Sequence, residues 1–162
     1  MGDFLDDVQP GEVVVIDNGG RTDCTVWGGI MSLAAPLRGV EGTVIDGVCR
    51  DVSEIKKNHY KMFSKGYYMA TGKDRVEVDY VNQPVNISGV QVRPGDLILG
   101  DETGVLVIPI ERAQAVYEIA KDIMQKEAQI QEALHAGTTL RSAREKMKYH
   151  ELQTRQESVL PG

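Results

Sequence analysis

The sequence is short of the features that mark several large protein classes. It holds only two cysteines, Cys24 and Cys49. They do not form the C-x-x-C spacing of a metal ribbon, and a disulfide framework is not expected from them. Both read as small buried residues. No apolar run approaches the roughly 20 residues of a membrane-spanning helix. Met1-Gly2-Asp3 leads into further acids, the wrong start for a secretory signal. The expectation is a cytoplasmic protein with no membrane partner. No block of Lys and Arg offsets the formal net charge of −6, which argues against nucleic acid as a partner.

What is present suits one domain with a real core. The chain has 162 residues, 41% hydrophobic and 26% charged. After the turn Pro10-Gly11, Val13 to Ile16 form a run of four β-branched apolar residues. Such a run reads as a strand buried on both faces. Asn18-Gly19-Gly20 is expected to end it. The polar loop from Asp17 to Gly20 is either a simple strand-to-helix turn or a place where backbone N–H groups approach an anion.

A helix is expected through Trp27, Ile30, Met31, Leu33, Ala34 and Leu37, with Asp23 as a plausible N-cap. Pro36 suggests a kink or a split in it. Gly28 and Gly29 are the anomaly. Glycine inside a helix costs about 1 kcal/mol relative to alanine. Either close packing compensates, or the helix starts only at Gly28 or Gly29 and turns free backbone N–H groups outward.

The second buried strand, Val40 to Ile45, leads into Gly42-Thr43-Val44-Ile45-Asp46-Gly47-Val48-Cys49-Arg50-Asp51. A cation and an anion, Arg50 and Asp51, thus stand side by side where a strand ends and a helix starts. Open α/β folds place their chemistry at such points. The bland alternatives are an Asp51 N-cap completed by Glu54 in a capping box, and an Arg50 paired to a nearby carboxylate on the surface.

From Met62 to Ile110 the pattern changes to short strands punctuated by glycine and proline. Strands are expected at Tyr67-Tyr68-Met69, at Val76 to Val81, on both sides of a Ser88-Gly89 turn, at Leu97 to Leu99 and at Val105 to Pro109. Asp96 and Asp101 fall in turns, with structural roles expected. Glu111 to Ala136 reads as one long amphipathic helix, stopped by Gly137. Thr138-Thr139 caps a second, from Leu140 to about Gln153, and Glu157 to Gly162 are expected to be loose. The apolar stripe of these two helices is expected to be received by a partner subunit.

These residues carry a resemblance. Gly11 to Asp17, Trp27-Gly28-Gly29-Ile30-Met31, Arg38 to Asp51, Pro84-Val85 with Gly89 to Asp96, and Asp101 to Pro109 resemble the family that joins the RraA-like proteins to the class II pyruvate aldolases, typified by 4-hydroxy-4-methyl-2-oxoglutarate aldolase. The resemblance implies an α/β fold, a swivelling β/β/α domain over residues 1–109 that carries the site. Residues 110–162 are then a C-terminal helical extension at a subunit contact. It implies a homo-oligomer, a trimer or a hexamer, with its site between subunits. It also implies a lyase that cleaves 4-hydroxy-2-oxo acids to pyruvate and decarboxylates oxaloacetate.

Arg50 would then hold the carboxylate and enolate oxygen of a pyruvoyl group, and Asp51 a Mg2+ or Mn2+. The backbone of Gly28, Gly29, Ile30 and Met31 would bind substrate, and Glu127 would reach a neighbour's site. The alternatives are an RraA-like regulator that inhibits a ribonuclease by contact, and an inactive structural member. The regulators tend to lack the metal-binding acid, and Asp51 is present here. Two departures from the family pattern stand out. Gly29 occupies a position where many catalytic members carry an acid. The usual N-terminal segment ahead of the Val13 strand is expected to be partly absent.

Overall fold

A computed structural model describes residues 2–152 of the chain. Two compact units follow one another, the first running to Ile110 and the second beginning at Glu111.

The first unit is organised on a parallel sheet of three strands in the order β1 (Val13–Thr25), β2 (Gly42–Cys49) and β3 (Met62–Tyr67). Helix α1 (Gly29–Leu37) connects β1 to β2, and α2 (Val52–Lys57) connects β2 to β3. Every residue of β2 is buried, as an apolar central strand flanked on both edges should be. Val14, Ile45 and Cys49 of the sheet pack with Ala35 of α1, Ile55 of α2, Trp27, Tyr60 and Leu5 to form the core. A cavity of about 210 Å³ lies against Val15 and Val44 and is lined further by Ile87, Val92, Ile98 and Val107. Those last residues come from two antiparallel hairpins, β4 (Val85–Ile87) with β5 (Val90–Val92) and β6 (Leu97–Asp101) with β7 (Gly104–Ile108). The Ser88-Gly89 turn has φ of 52° and 88°, the doubly left-handed turn that suits a tight hairpin.

The second unit holds α3 (Ala113–His135) and α4 (Leu140–Lys146). Thr139 caps α4, its hydroxyl accepting from the Ser142 N–H at 3.3 Å. No helix among the described residues is long and apolar enough to cross a membrane.

Several expectations need correction. Asn18-Gly19-Gly20 does not end the first strand. β1 leaves the register of β2 between Asp17 and Arg21, leaves it again between Arg21 and Thr25, and resumes each time. The excursion is possible because Gly19 and Gly20 both take positive φ, 61° and 69°. Asp23 is therefore not a helix cap. It lies within β1, where its carboxylate pairs with Arg21 at 2.8 Å. The helix starts at Gly29, with Gly28 as its N-cap. Pro36 does not split the helix, which runs on to Leu37.

The strand expected at Tyr67 to Met69 lies earlier, at Met62–Tyr67. Val76 to Val81 alternate like a strand but form none, and among the described residues no strand pairs with them, leaving Val78, Tyr80 and Val81 about half exposed. The second C-terminal helix stops at Lys146 rather than near Gln153, and Lys148 then turns left-handed at φ 49°. Gln153 and the tail from Glu157 to Gly162 lie outside the described residues.

Candidate active site

β2 carries Arg50 and Asp51 just beyond its C-terminal end, and the loop after β1 brings Gly28 and Gly29 against them. The junction is fixed through the backbone, where the Arg50 N–H donates to the Trp27 carbonyl at 3.0 Å. Asp51 takes a left-handed conformation, φ 59° and ψ 43°. Few residues other than glycine adopt it, aspartate among the more tolerant. Its carbonyl still opens α2, accepting from Glu54 N at 2.9 Å and Ile55 N at 3.1 Å.

The Asp51 side chain does not cap α2, so the alternative of a capping box with Glu54 does not hold. Its Oδ2 instead accepts the Gly29 N–H of α1 at 2.8 Å. One carboxylate thus ties the starts of two helices together. The same oxygen lies 3.6 Å from Arg50 Nε, and both side chains remain about two fifths exposed.

This geometry answers the puzzle of the two glycines. A Cβ on Gly28 would lie 2.9 Å from both Arg50 Nε and Asp51 Oδ2. No side chain fits there while the ion pair keeps its place. A Cβ on Gly29 would lie 3.4 Å from Asp51 Oδ2 and 3.5 Å from the Cβ atoms of Asp51 and Glu54, which is ordinary contact. The amides of Gly29, Ile30 and Met31 precede the first helical bond of α1, which runs from Ser32 N to Gly28 O at 3.0 Å. They carry the partial positive charge of a helix start. Ile30 is exposed at 87% while Met31 packs against the core.

Among the residues singled out from sequence, Gly28, Gly29, Arg50 and Asp51 are therefore brought together, with the amides of Ile30 and Met31 alongside. Glu127 belongs to α3 in the C-terminal unit, where its Oε1 accepts the Tyr149 hydroxyl at 3.4 Å. The sequence reading gave Glu54 only a capping role. Its Cβ borders Gly29 beside that of Asp51, and its carboxylate lies 3.8 Å from Lys57 Nζ. Its spacing of three from Asp51 at the start of a helix was the signal of that closeness.

A further polar cluster lies upstream. Asp46 of β2 is buried and ion-paired to Lys65 at 2.7 Å, and its Oδ1 also accepts the Ser88 hydroxyl at 2.8 Å. The Lys65 hydrogen bond, helped by Ser88, holds the Asp46 carboxyl below the usual carboxylate range against the opposing effect of burial. Among the described residues no group of three or more His, Cys, Asp and Glu is arranged to hold a metal ion.

A parallel sheet whose central strand ends in an Arg-Asp pair, set against a glycine-bounded helix start, defines a small α/β domain. A family model described as "RraA-like: Aldolase/RraA" matches residues 1–107, and the chain belongs to that family, with its swivelling β/β/α fold.

"Protein DlpA" of Legionella pneumophila is 41% identical over 148 residues, 91% of this chain and 24% of that protein. A "Putative 4-hydroxy-4-methyl-2-oxoglutarate aldolase" of Halalkalibacterium halodurans is 38% identical over 117 residues, 71% of this chain and 54% of that one. A crystal structure of an uncharacterized protein from Pseudomonas syringae pv. tomato matches at a TM-score of 0.87 and 41% identity, covering 90% of this chain and 68% of that one. Streptomyces coelicolor RraAS2, described as an unusual member of the RNase ES inhibitor RraA protein family, matches at a TM-score of 0.71 and 29% identity over 76% of this chain and 63% of that one. The chain thus spans between about a quarter and three fifths of the length of the first curated relatives it matches.

Proposed function

We propose that the domain is a divalent-metal-dependent lyase that cleaves 4-hydroxy-2-oxo acids to pyruvate and decarboxylates oxaloacetate. The observation that carries this reading is the close approach of Arg50 and Asp51 to Gly28, which leaves room for no side chain. Both reactions release the pyruvate enolate, in which negative charge gathers on one oxygen. The Arg50 guanidinium is a planar fork that suits a carboxylate and the oxygen beside it. The Gly29 N–H is already taken by Asp51, which leaves the Ile30 and Met31 amides at the start of α1 to add partial positive charge.

Asp51 is the acid that would hold a magnesium-like ion, since Mg2+ keeps several waters and needs only one or two protein carboxylates beside its substrate; the Glu54 Cβ borders Gly29 close by. Bound there, Mg2+ or Mn2+ would supply electrophilic stabilisation of the enolate. Asp51 supports this reading over a purely regulatory, ribonuclease-inhibiting role, because the regulators of the family tend to lack the metal-binding acid.

The apolar face of α1 beside the site, with Ile30, Leu33 and Leu37 exposed at 87%, 53% and 79%, supports a homo-oligomer, a trimer or a hexamer, whose neighbour covers it.

The test is pyruvate release from oxaloacetate and from 4-hydroxy-4-methyl-2-oxoglutarate with Mg2+. The wild type should exceed the metal-only blank. Arg50→Ala and Asp51→Ala should each lower activity at least about 100-fold, as removal of one transition-state charge contact does. Release no faster than the blank overturns the reading. Activity that survives both substitutions moves the site elsewhere.

A further inference from the structure

The site is held from behind by a small buried relay that the proposed chemistry does not use directly. Trp27 is the sole tryptophan of the chain and is 2% exposed. Its indole Nε1 donates to Ser32 Oγ at 3.0 Å, and Ser32 Oγ donates in turn to the Gly28 carbonyl at 2.9 Å. That carbonyl also receives the first helical bond, from Ser32 N at 3.0 Å. Ser32 has no exposed surface. The main chain of Trp27 works on the other half of the site, because its carbonyl takes the Arg50 N–H at 3.0 Å. The ring is fixed in place, stacked on Tyr60 at 5.8 Å between centroids and 3° between planes.

From this geometry we infer that Trp27 and Ser32 are positioning residues. The relay from indole to hydroxyl to the Gly28 carbonyl sets the direction in which the α1 amides face Arg50 and Asp51. A buried serine in the first turn of a helix has simpler ways to satisfy itself than a tryptophan donor. Here the hydroxyl is spent on both sides, accepting from the indole and donating to the one carbonyl that orients the peptide plane between Gly28 and Gly29. Turning that plane turns the Gly29 N–H away from Asp51 Oδ2. The inference rests on the proposed function for what the amides receive, but the relay itself stands apart from it.

Two measurements test it. Steady-state kinetics of oxaloacetate decarboxylation is the first, on Ser32→Ala, Trp27→Phe and the double variant; phenylalanine keeps one aromatic ring beside Tyr60 and removes the N–H together with part of the indole volume, so Ser32→Ala is the cleaner probe of the relay. Each single variant should lower kcat about tenfold with KM changed less than about threefold, since misdirected groups lose rate faster than binding. The double variant should lose no more than the worse single one, because both remove the same relay. The second is the emission of Trp27 during titration with oxalate, an enolate mimic, in the presence of Mg2+. Oxalate should shift the emission of the wild type, and in Ser32→Ala the shift should require about tenfold more oxalate.

An active wild type whose Ser32→Ala variant keeps its kcat and its oxalate response overturns the relay and leaves the proposed function standing. A wild type that binds oxalate through Trp27 but releases no pyruvate overturns the proposed function and leaves the relay, provided the Ser32→Ala variant binds more weakly. A wild type that does neither overturns both.

Discussion

Replacing Gly28 by alanine should lower activity about 10- to 100-fold while leaving the fold intact. Gly28 has φ −149° and ψ −168°, extended backbone that any residue adopts, so the change brings no conformational strain. The new carbon would lie 2.9 Å from Arg50 Nε, 2.9 Å from Asp51 Oδ2 and 3.4 Å from Arg50 Cγ. Comfortable contact between such atoms is about 3.5–4.0 Å, so the guanidinium and the carboxylate must retreat by about half an ångström or more. Both are side-chain ends exposed at 42% and 43%, and they can swing into solvent. The stability cost should stay within about 3 kcal/mol and the Tm shift within about 10 °C.

The site loses more. Asp51 Oδ2 gives up its 2.8 Å bond from the Gly29 amide, a charge-assisted contact of about 1.5–3 kcal/mol. A reacting group displaced by about 1 Å can lose about 100-fold in rate. We expect kcat/KM on oxaloacetate to fall about 10- to 100-fold, read by coupling pyruvate to a dehydrogenase, beside a thermal scan of the same sample. Gly29→Ala is the control. Its added carbon meets ordinary contacts at 3.4–3.5 Å, and alanine is the better residue in a helix. Activity should stay within about threefold and Tm should hold or rise slightly. A Gly28→Ala protein as active as the wild type, or one inactive only because it has unfolded, refutes the reasoning.

Three further outcomes follow from the same structure. Burial pushes the Tyr60 hydroxyl up to about 12, above the ordinary value near 10, so the folded protein holds that proton more tightly than the unfolded chain. Stability should therefore fall as pH rises from about 10 to about 12, by at most about 1.4 kcal/mol per pH unit, and Tyr60→Phe should remove that slope in urea titrations. Lys65→Met leaves Asp46 buried without its cation and should cost about 1–2 kcal/mol at pH 7, discounted for the solvent around Lys65. Because the Asp46 pKa is depressed, the pair stabilises above the ordinary carboxylate value and loses that effect as pH falls through the folded one, so the gap between wild type and variant should narrow as the pH is lowered below the ordinary carboxylate range. Mg2+ at about ten times its Kd should stabilise the wild type by about 1.4 kcal/mol. Asp51→Ala should reduce that gain in thermal scans, and undiminished stabilisation would remove the metal from this place.

The buried strand β2 and the hairpin at Ser88-Gly89 were legible in the sequence because local chemistry decides them. An apolar run needs two covered faces, and a Ser-Gly pair suits a tight turn. The site was legible for a different reason. Two adjacent glycines in an apolar pattern are costly, and that cost pointed to a helix start at Gly28 or Gly29.

The failures share one cause: long-range partners overruled local pattern. Asn18-Gly19-Gly20 looks like a strand end, yet β2 alongside lets β1 bulge and resume. Val76 to Val81 alternate correctly but find no neighbouring strand among the described residues to pair with. Asp51 has the spacing of a capping box. Its carboxylate is drawn 22 residues back along the sequence to Gly29, and no local rule foresees that. Glu54 was hidden by the same capping expectation, since one pattern serves both a cap and a pair of acids on one face.

The difference between the two glycines bears on how such a domain can diversify. Position 28 tolerates no added carbon while Arg50 and Asp51 stay in place. Position 29 opens beside Asp51 and Glu54 with space for one. The backbone there behaves as a socket in a fixed mount: a new side chain can be seated against the two acids without moving the strand, the helix start or the arginine. Selection could exchange reactivity at that single residue while the architecture around it stays untouched. Neighbouring Gly28 would remain fixed throughout, since any occupant would dismantle what the socket serves.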